Sequence, residues 1–255
     1  MWRNPKAALS LVMAGTLVLL SAPAMAWDWS FGNWVSGSGR ISKVQRSVTG
    51  FKGVRLDLPG QVEIIQGDSE SVVIETDDNL APLVETMIEG DQLMIRSTQR
   101  HKTLRPSSLR ITVHARTVEQ LSVSGSGKLM AERLQSPKLQ ALISGSGDIR
   151  INALNADTLT VSIAGSGDFI AAGKADSVQS SIAGSGDLNI DTLAAKNVEL
   201  RIAGSGDAKV WASQTLAIKI SGSGNVAYYG DASVTQTVAG SGRIKKLGAV
   251  PTPGS

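Results

Sequence analysis

The tripeptide Gly-Ser-Gly recurs through the second half of this chain with its first glycine at positions 125, 145, 165, 184, 204, 222 and 240, at intervals of 20, 20, 19, 20, 18 and 18 residues. So regular a period means one structural unit repeated, each burying its apolar face on its neighbours. Aligning the units gives three apolar columns. Two residues before the first glycine stand Val123, Ile143, Ile163, Ile182, Ile202, Ile220 and Val238, all β-branched. Four residues earlier come Leu139, Leu159, Val178, Val198, Leu216 and Val234; two residues past the second glycine come Leu129, Ile149, Phe169, Leu188, Ala208, Val226 and Ile244. Spacings of two or four, as in Leu159-Thr-Val161-Ser-Ile163, are strand periodicity with one buried face. A propeller blade needs roughly 40 residues and a leucine-rich repeat needs its own Leu/Asn ladder, so neither fits. The unit matches one coil of a parallel β-helix, an all-β solenoid in which equivalent residues stack at about 4.8 Å.

Gly-Ser-Gly then marks the corner of each coil, where the chain needs positive φ or close backbone approach. It is not a phosphate cradle: no Gly-x-Gly-x-x-Gly and no Gly-x-x-x-x-Gly-Lys-Ser/Thr occurs. The next residue forms a column of Lys128, Asp148, Asp168, Asp187, Asp207, Asn225 and Arg243. The functional reading is a ribbon that binds Ca²⁺, a basic partner or a sugar: stacked carboxylates repel, and a cation would relieve that repulsion. The simpler reading is that each Asp accepts backbone N–H groups at its own corner. Pairs about 5 Å apart also imitate a retaining glycosidase, but fourfold repetition of one Asp points to a structural cause.

Residues 1–26 read as a cleaved export signal: Arg3 and Lys6, an apolar run from Ala7 to Leu20, then Ala24-Met25-Ala26. The run is too short for a membrane span, and none follows it in the mature chain. Without Arg3 and Lys6, the 25 basic and 22 acidic residues become 23 and 22, which gives no footprint for nucleic-acid binding. Export places the protein in the periplasm or on the surface of a bacterial cell. Zero Cys excludes disulfides and thiolate metal sites, and His101 and His114 are the only histidines, so the usual inventory for metal binding or general-base catalysis is nearly empty. No cofactor, metal site or catalytic residue is implied.

Residues 48–120 carry alternating stretches at Val54–Leu58, Val62–Ile64, Val72–Ile74, Leu93–Ile95 and Leu109–Val113, read as a β-rich part that caps one end of the solenoid over 121–248. Leu80 to Ile88 is expected to hold a helical turn, and the basic run from Arg100 to Arg105 a solvated loop. The arm 27–47 holds Trp27, Trp29, Phe31 and Trp34, four of the nine aromatic residues after position 26, and an eighth Gly-Ser-Gly at 37–39. Its indoles suit recognition of a glycan or envelope surface; equally, the arm suits a strand that plugs the coil end, in its own chain or a neighbour's. Residues 249–255 read as a frayed tail.

Arg46-Ser-Val48-Thr-Gly50-Phe51 leading to Val62-Glu-Ile64-Ile-Gln66-Gly67, then Asp77-Asp78-Asn79-Leu80, Leu93-Met-Ile95 and the Ser/Ala-Gly-Ser-Gly-Asp series resemble the DUF2807 family, the auto-transporter adhesin head GIN domain. The resemblance runs from about Arg46 to Gly242. It implies a right-handed parallel β-helix in exported envelope proteins and brings no catalytic residues. A self-transported protein needs a C-terminal membrane barrel, whereas residues 121–255 are occupied by the repeat. The expected function is a non-enzymatic envelope solenoid for binding, adhesion or scaffolding. Its partner would be an envelope protein, a glycan or a second copy of the chain. The expected binding residues are Asp148, Asp168, Asp187, Asp207, Trp27, Trp29 and Trp34. The alternatives are a carbohydrate-active enzyme using a pair of those aspartates and a Ca²⁺-stabilised structural module.

Overall fold

Alternating apolar residues make strands, and small residues at fixed intervals let those strands turn corners, so one strand can wrap a whole coil. The computed structural model describes residues 34–99 and 102–248. The leader, Trp27, Trp29, His101 and the tail 249–255 lie outside the described residues. Five long strands each contribute a coil: β11 (Lys128–Gly145), β12 (Asp148–Gly165), β13 (Phe169–Gly184), β14 (Leu188–Gly204) and β15 (Ala208–Gly222). Each has a leading segment after one Gly-Ser-Gly corner and, past a bend, a trailing segment before the next. Neighbouring coils pair in parallel and in register, Ile143 on Ile163, Ile182, Ile202 and Ile220. The result is a right-handed parallel β-helix of about six turns. Units of unequal length fit because register slips at the bend, between Ile151 and Leu154, Ile170 and Ala172, and Ile190 and Ala195, leaving the corners aligned.

The three apolar columns fill the interior. In the β-branched column every residue from Val123 to Ile220 is buried, whereas Val238 is 40% exposed. Val238 lies on β17 (Ser233–Gly240), which pairs with β15 alone; β16 (Asn225–Tyr229) and β18 (Arg243–Gly248) complete the last coils.

The first half extends the same stack out of chain order. Strand β3 (Gly53–Asp57) pairs with β10 (Gln120–Gly125), and β4 (Gln61–Gln66) pairs with the leading segment of β11. On their other side lie β7 (Gln92–Ser97) and β9 (Leu109–Ala115), also parallel. The coil made first is thus enclosed by coils made later, and residues 116–119 carry the chain across it. Antiparallel strands end the stack: β5 (Ser71–Asp77) on β9, β2 (Ile41–Arg46) on β5, and β6 (Val84–Glu89) on β7. The helical turn expected after Leu80 is a single 3-10 turn, Ala81–Leu83, that leads directly into β6. Finally β1 (Trp34–Ser36) pairs with β8 (Thr103–Arg105), so part of the expected basic loop is a strand.

Candidate functional site

The Gly-Ser-Gly corner fixes where the aspartates go. Gly165 has φ +129°, and a Cβ added at Gly165 or Gly167 would enter the carbonyl oxygen of the equivalent glycine one coil below. With the corners packed this closely, Asp148, Asp168, Asp187 and Asp207 form one column along an outer edge, the first two half-buried and the last two exposed. Each carboxylate accepts the backbone N–H of the next residue in the column. The Asp168 amide donates to Asp148 Oδ1 at 3.3 Å, Asp187 to Asp168 at 3.2 Å, Asp207 to Asp187 at 2.9 Å and Asn225 to Asp207 at 2.8 Å. The hydrogen bonds therefore run between coils, where the sequence suggested acceptance within each corner. The reason is geometric: stacking in register sets each carboxylate beside the N–H of the equivalent residue on the following coil.

One end of the column is ion-paired and the other is capped by an amide. Lys128 Nζ is 2.8 Å from Asp148 Oδ2, and the Asn225 side-chain amide donates to Asp207 at 3.0 Å. Ca²⁺ needs six to eight converging oxygens. Here one oxygen of each Asp is already occupied, and among the described residues no group of three or more His, Asp or Glu converges as a metal site.

Of the arm's three tryptophans, only Trp34 lies among the described residues. It is 42% exposed, with the Arg105 guanidinium 4.1 Å from its ring centroid. The Gly-Ser-Gly that follows is held by Asp77, Asp78 and Asn79, which the sequence marked only as a turn. Gly39 donates to Asp77 Oδ1 at 2.7 Å, Ser38 N–H to Asn79 Oδ1 at 2.9 Å, and the Ser38 hydroxyl to Asp78 Oδ1 at 2.5 Å. Burial pushes the Asp77 carboxyl up, but hydrogen bonds from Ser107 and Gly39 outweigh it and hold the group below the usual Asp range. Asp78 is lowered first by the Ser38 hydroxyl; burial raises it by less, and the Arg40 charge lowers it further.

Two features were absent from the sequence reading. A groove of about 650 Å³ opens beside Gln66, Arg116, Arg133 and Pro137, where the β3–β4 coil leaves the stack. On the last coils Trp211 and Tyr229 are register neighbours on the outer face, both half-buried. They stand 18 residues apart, one repeat period, and that spacing was a signal available in the sequence.

A stacked parallel coil with one closed antiparallel end and long polar outer columns defines a parallel β-solenoid. Within that class, the family model "Putative auto-transporter adhesin, head GIN domain" matches residues 50–232, and the chain belongs to this DUF2807 family. Similar solved structures include a "putative adhesin" from Bacteroides fragilis, at TM-score 0.78 and 23% identity over 84% of this chain and 100% of that one. A "putative lipid binding protein" from Parabacteroides distasonis follows at 0.71 and 24%, over 84% and 99%. A "putative adhesin" from Parabacteroides merdae aligns at 0.68 and 24%, over 84% and 98%. At these identities the likeness establishes the fold. No curated protein matches the chain. Among the described residues no helix is long and apolar enough to cross a membrane.

Proposed function

We propose that the protein is a non-enzymatic, exported solenoid of the bacterial cell envelope that presents a long face to an envelope protein or a glycan. The observation that carries this reading is the aspartate column: its carboxylates serve as fixed acceptors between coils, so the face is rigid and regularly spaced. Pre-organised surfaces of this kind lower the entropic cost of binding an extended partner. The outer side of the column, Asp148 to Asp207, with Asp148 already ion-paired to Lys128, and the half-exposed Trp34 are the contact residues on this reading. The adhesin names of two similar structures support a binding role.

The test is a C-terminally tagged protein in fractionated cells, with external protease applied before and after permeabilising the outer membrane. Cleavage on intact cells points to a surface partner, and protection until permeabilisation points to a periplasmic one. A cytosolic protein that keeps residues 1–26 overturns export. Cleavage of any polysaccharide that is lost in Asp168→Asn overturns the non-enzymatic reading in favour of a glycosidase.

A further inference from the structure

We infer that the outer face of the last three coils is a binding site for an acidic saccharide, an inference that rests on the binding role proposed above and names its ligand class. The sign of the face reverses there. The column that is acidic from Asp148 to Asp207 continues as Asn225 and Arg243. Beside it, Lys209, Ala227 and Lys245 are in register on successive coils, with both lysines exposed. Two coil spacings put those lysines roughly 10 Å apart, with the small Ala227 as the floor between them. Among the described residues, Lys209, Lys245 and Arg243 have no carboxylate within 4.0 Å; the ion pairs engage other cations. Asp207, the nearest acid of the column, is tied to Asn225 by two hydrogen bonds.

The aromatic wall completes the site. Trp211 and Tyr229 occupy the next outward positions of the same coils. The indole leans over Gly230, where an added Cβ would lie 3.2 Å from Cδ1. Gly230 has φ +96°, so the backbone that carries this contact favours glycine. A half-buried indole and phenol fixed on a rigid sheet offer flat apolar faces at little entropic cost, which suits the C–H face of a sugar ring. The lysines add charge-assisted hydrogen bonds to a carboxylate, sulfate or phosphate on the same chain. A nucleic-acid strand needs the same two groups, but a phosphate at every nucleotide would meet Asp207 on the Lys209 coil and Asp187 on the coil before it.

The experiment titrates the full exported chain with a hexasaccharide of uronic acids, a sulfated hexasaccharide, neutral cellohexaose and oligothymidylate. Tryptophan fluorescence and calorimetry are the readouts. The expected result is saturable binding of an acidic hexasaccharide that weakens with added salt, with cellohexaose at least about tenfold weaker. The double variant K209Q/K245Q should lose at least about tenfold in affinity at unchanged melting temperature. Trp211→Ala should lose binding as well, and Trp211→Phe, which keeps an aromatic face if the alanine variant fails to fold, should retain part of it. Failure of both acidic probes to bind, equal binding of cellohexaose, preference for oligothymidylate, or unchanged affinity in K209Q/K245Q overturns the site. So does a dimer in sedimentation that K209Q/K245Q dissociates, which would make this face an interface between copies. If the site fails while isolated envelope material still binds the protein saturably, the broader binding role stands; if that material does not bind either, both fall.

Discussion

The side-chain amide of Gln66 makes with Gln135 both hydrogen bonds that a neighbouring strand would make: Oε1 accepts the Gln135 N–H at 2.8 Å and Nε2 donates to its carbonyl at 3.0 Å. Nε2 also reaches the Arg116 carbonyl at 3.2 Å. The β3–β4 coil leaves the stack after Gln66, so the bend of β11 has no strand on that side, and a glutamine fills part of the missing rung. Pro137, two residues on, removes an N–H that an intruding strand would have used.

Gln66→Ala should therefore destabilise the fold by about 1 kcal/mol, a modest cost because the bonds lie near solvent and water replaces them. Urea unfolding is the check. An unchanged midpoint would mean that the amide only occupies space. Gln66→Glu keeps one acceptor and loses the donor, and it should fall between the two.

Acid should release the N-terminal arm before it unfolds the coils. Asp77 and Asp78 both titrate below the usual Asp range when folded. A lowered folded value means the clamp's contribution is complete above the ordinary Asp pKa and is lost as pH falls through the folded values. Trp34, beside Arg105, reports the arm by fluorescence. The expected profile is a fluorescence change on the acid side that precedes loss of the β-sheet circular dichroism. Asp77→Asn should weaken the acid dependence of this step, leaving the part carried by Asp78, and loosen the arm at neutral pH.

Each apolar column of the repeat was legible in the sequence, because stacking at a fixed period forces one residue type into one place. Val123, Ile143 and Ile163 announce their own register. The order of the first coils was not legible: β3–β4 and β7–β9 carry the same alternation, and nothing local says which lies next to β10. The clamp was half legible, since Asp77-Asp78-Asn79 has turn composition, but its partner is some 40 residues away. Gln66 gave no signal at all, because one amide replacing a strand is a fact of position. The aspartate column was visible as a column, yet its donors belong to the following coil and needed coordinates.

Replacing Gly167 by Ala should be the most damaging single methyl in the repeat. The added Cβ would meet the Gly147 carbonyl oxygen, which is rigid backbone, and the Ile143 side chain. The coil cannot shift without parting the corner hydrogen bonds on both sides, among them Ser166 N–H to the Gly145 carbonyl at 2.8 Å. The expected loss is about 3 kcal/mol or more, comparable with overpacking a closed core. Gly39→Ala, whose added Cβ meets nothing within 4 Å, is the control. It pays only the left-handed backbone cost of about 1 kcal/mol.

Ser180 interrupts an apolar column, in register with Val161 below and Leu200 above. It is 4% exposed, and its hydroxyl has no hydrogen-bond partner among the described residues. Ser180→Ala should stabilise the protein by about 1 kcal/mol, since it removes a desolvated polar group and leaves little new space. Thermal unfolding would show a higher midpoint. A lower one would mean that a buried water satisfies the hydroxyl.

The aspartate column makes the sharpest separation between a structural and a metal-binding role. Asn supplies the same Oδ1 acceptor without the charge, and its amide can also donate along the column, as Asn225 does to Asp207 Oδ1 at 3.0 Å. Asp187→Asn should therefore keep the bond to the Asp207 amide, now 2.9 Å, while relieving repulsion from Asp168 and Asp207. Its melting temperature should match or exceed that of the parent at low salt, and the difference should shrink as salt screens the column. Millimolar Ca²⁺ should move neither protein. A rise confined to the parent would show preferential binding to the folded state, and the carboxylates would then be ligands as well as acceptors.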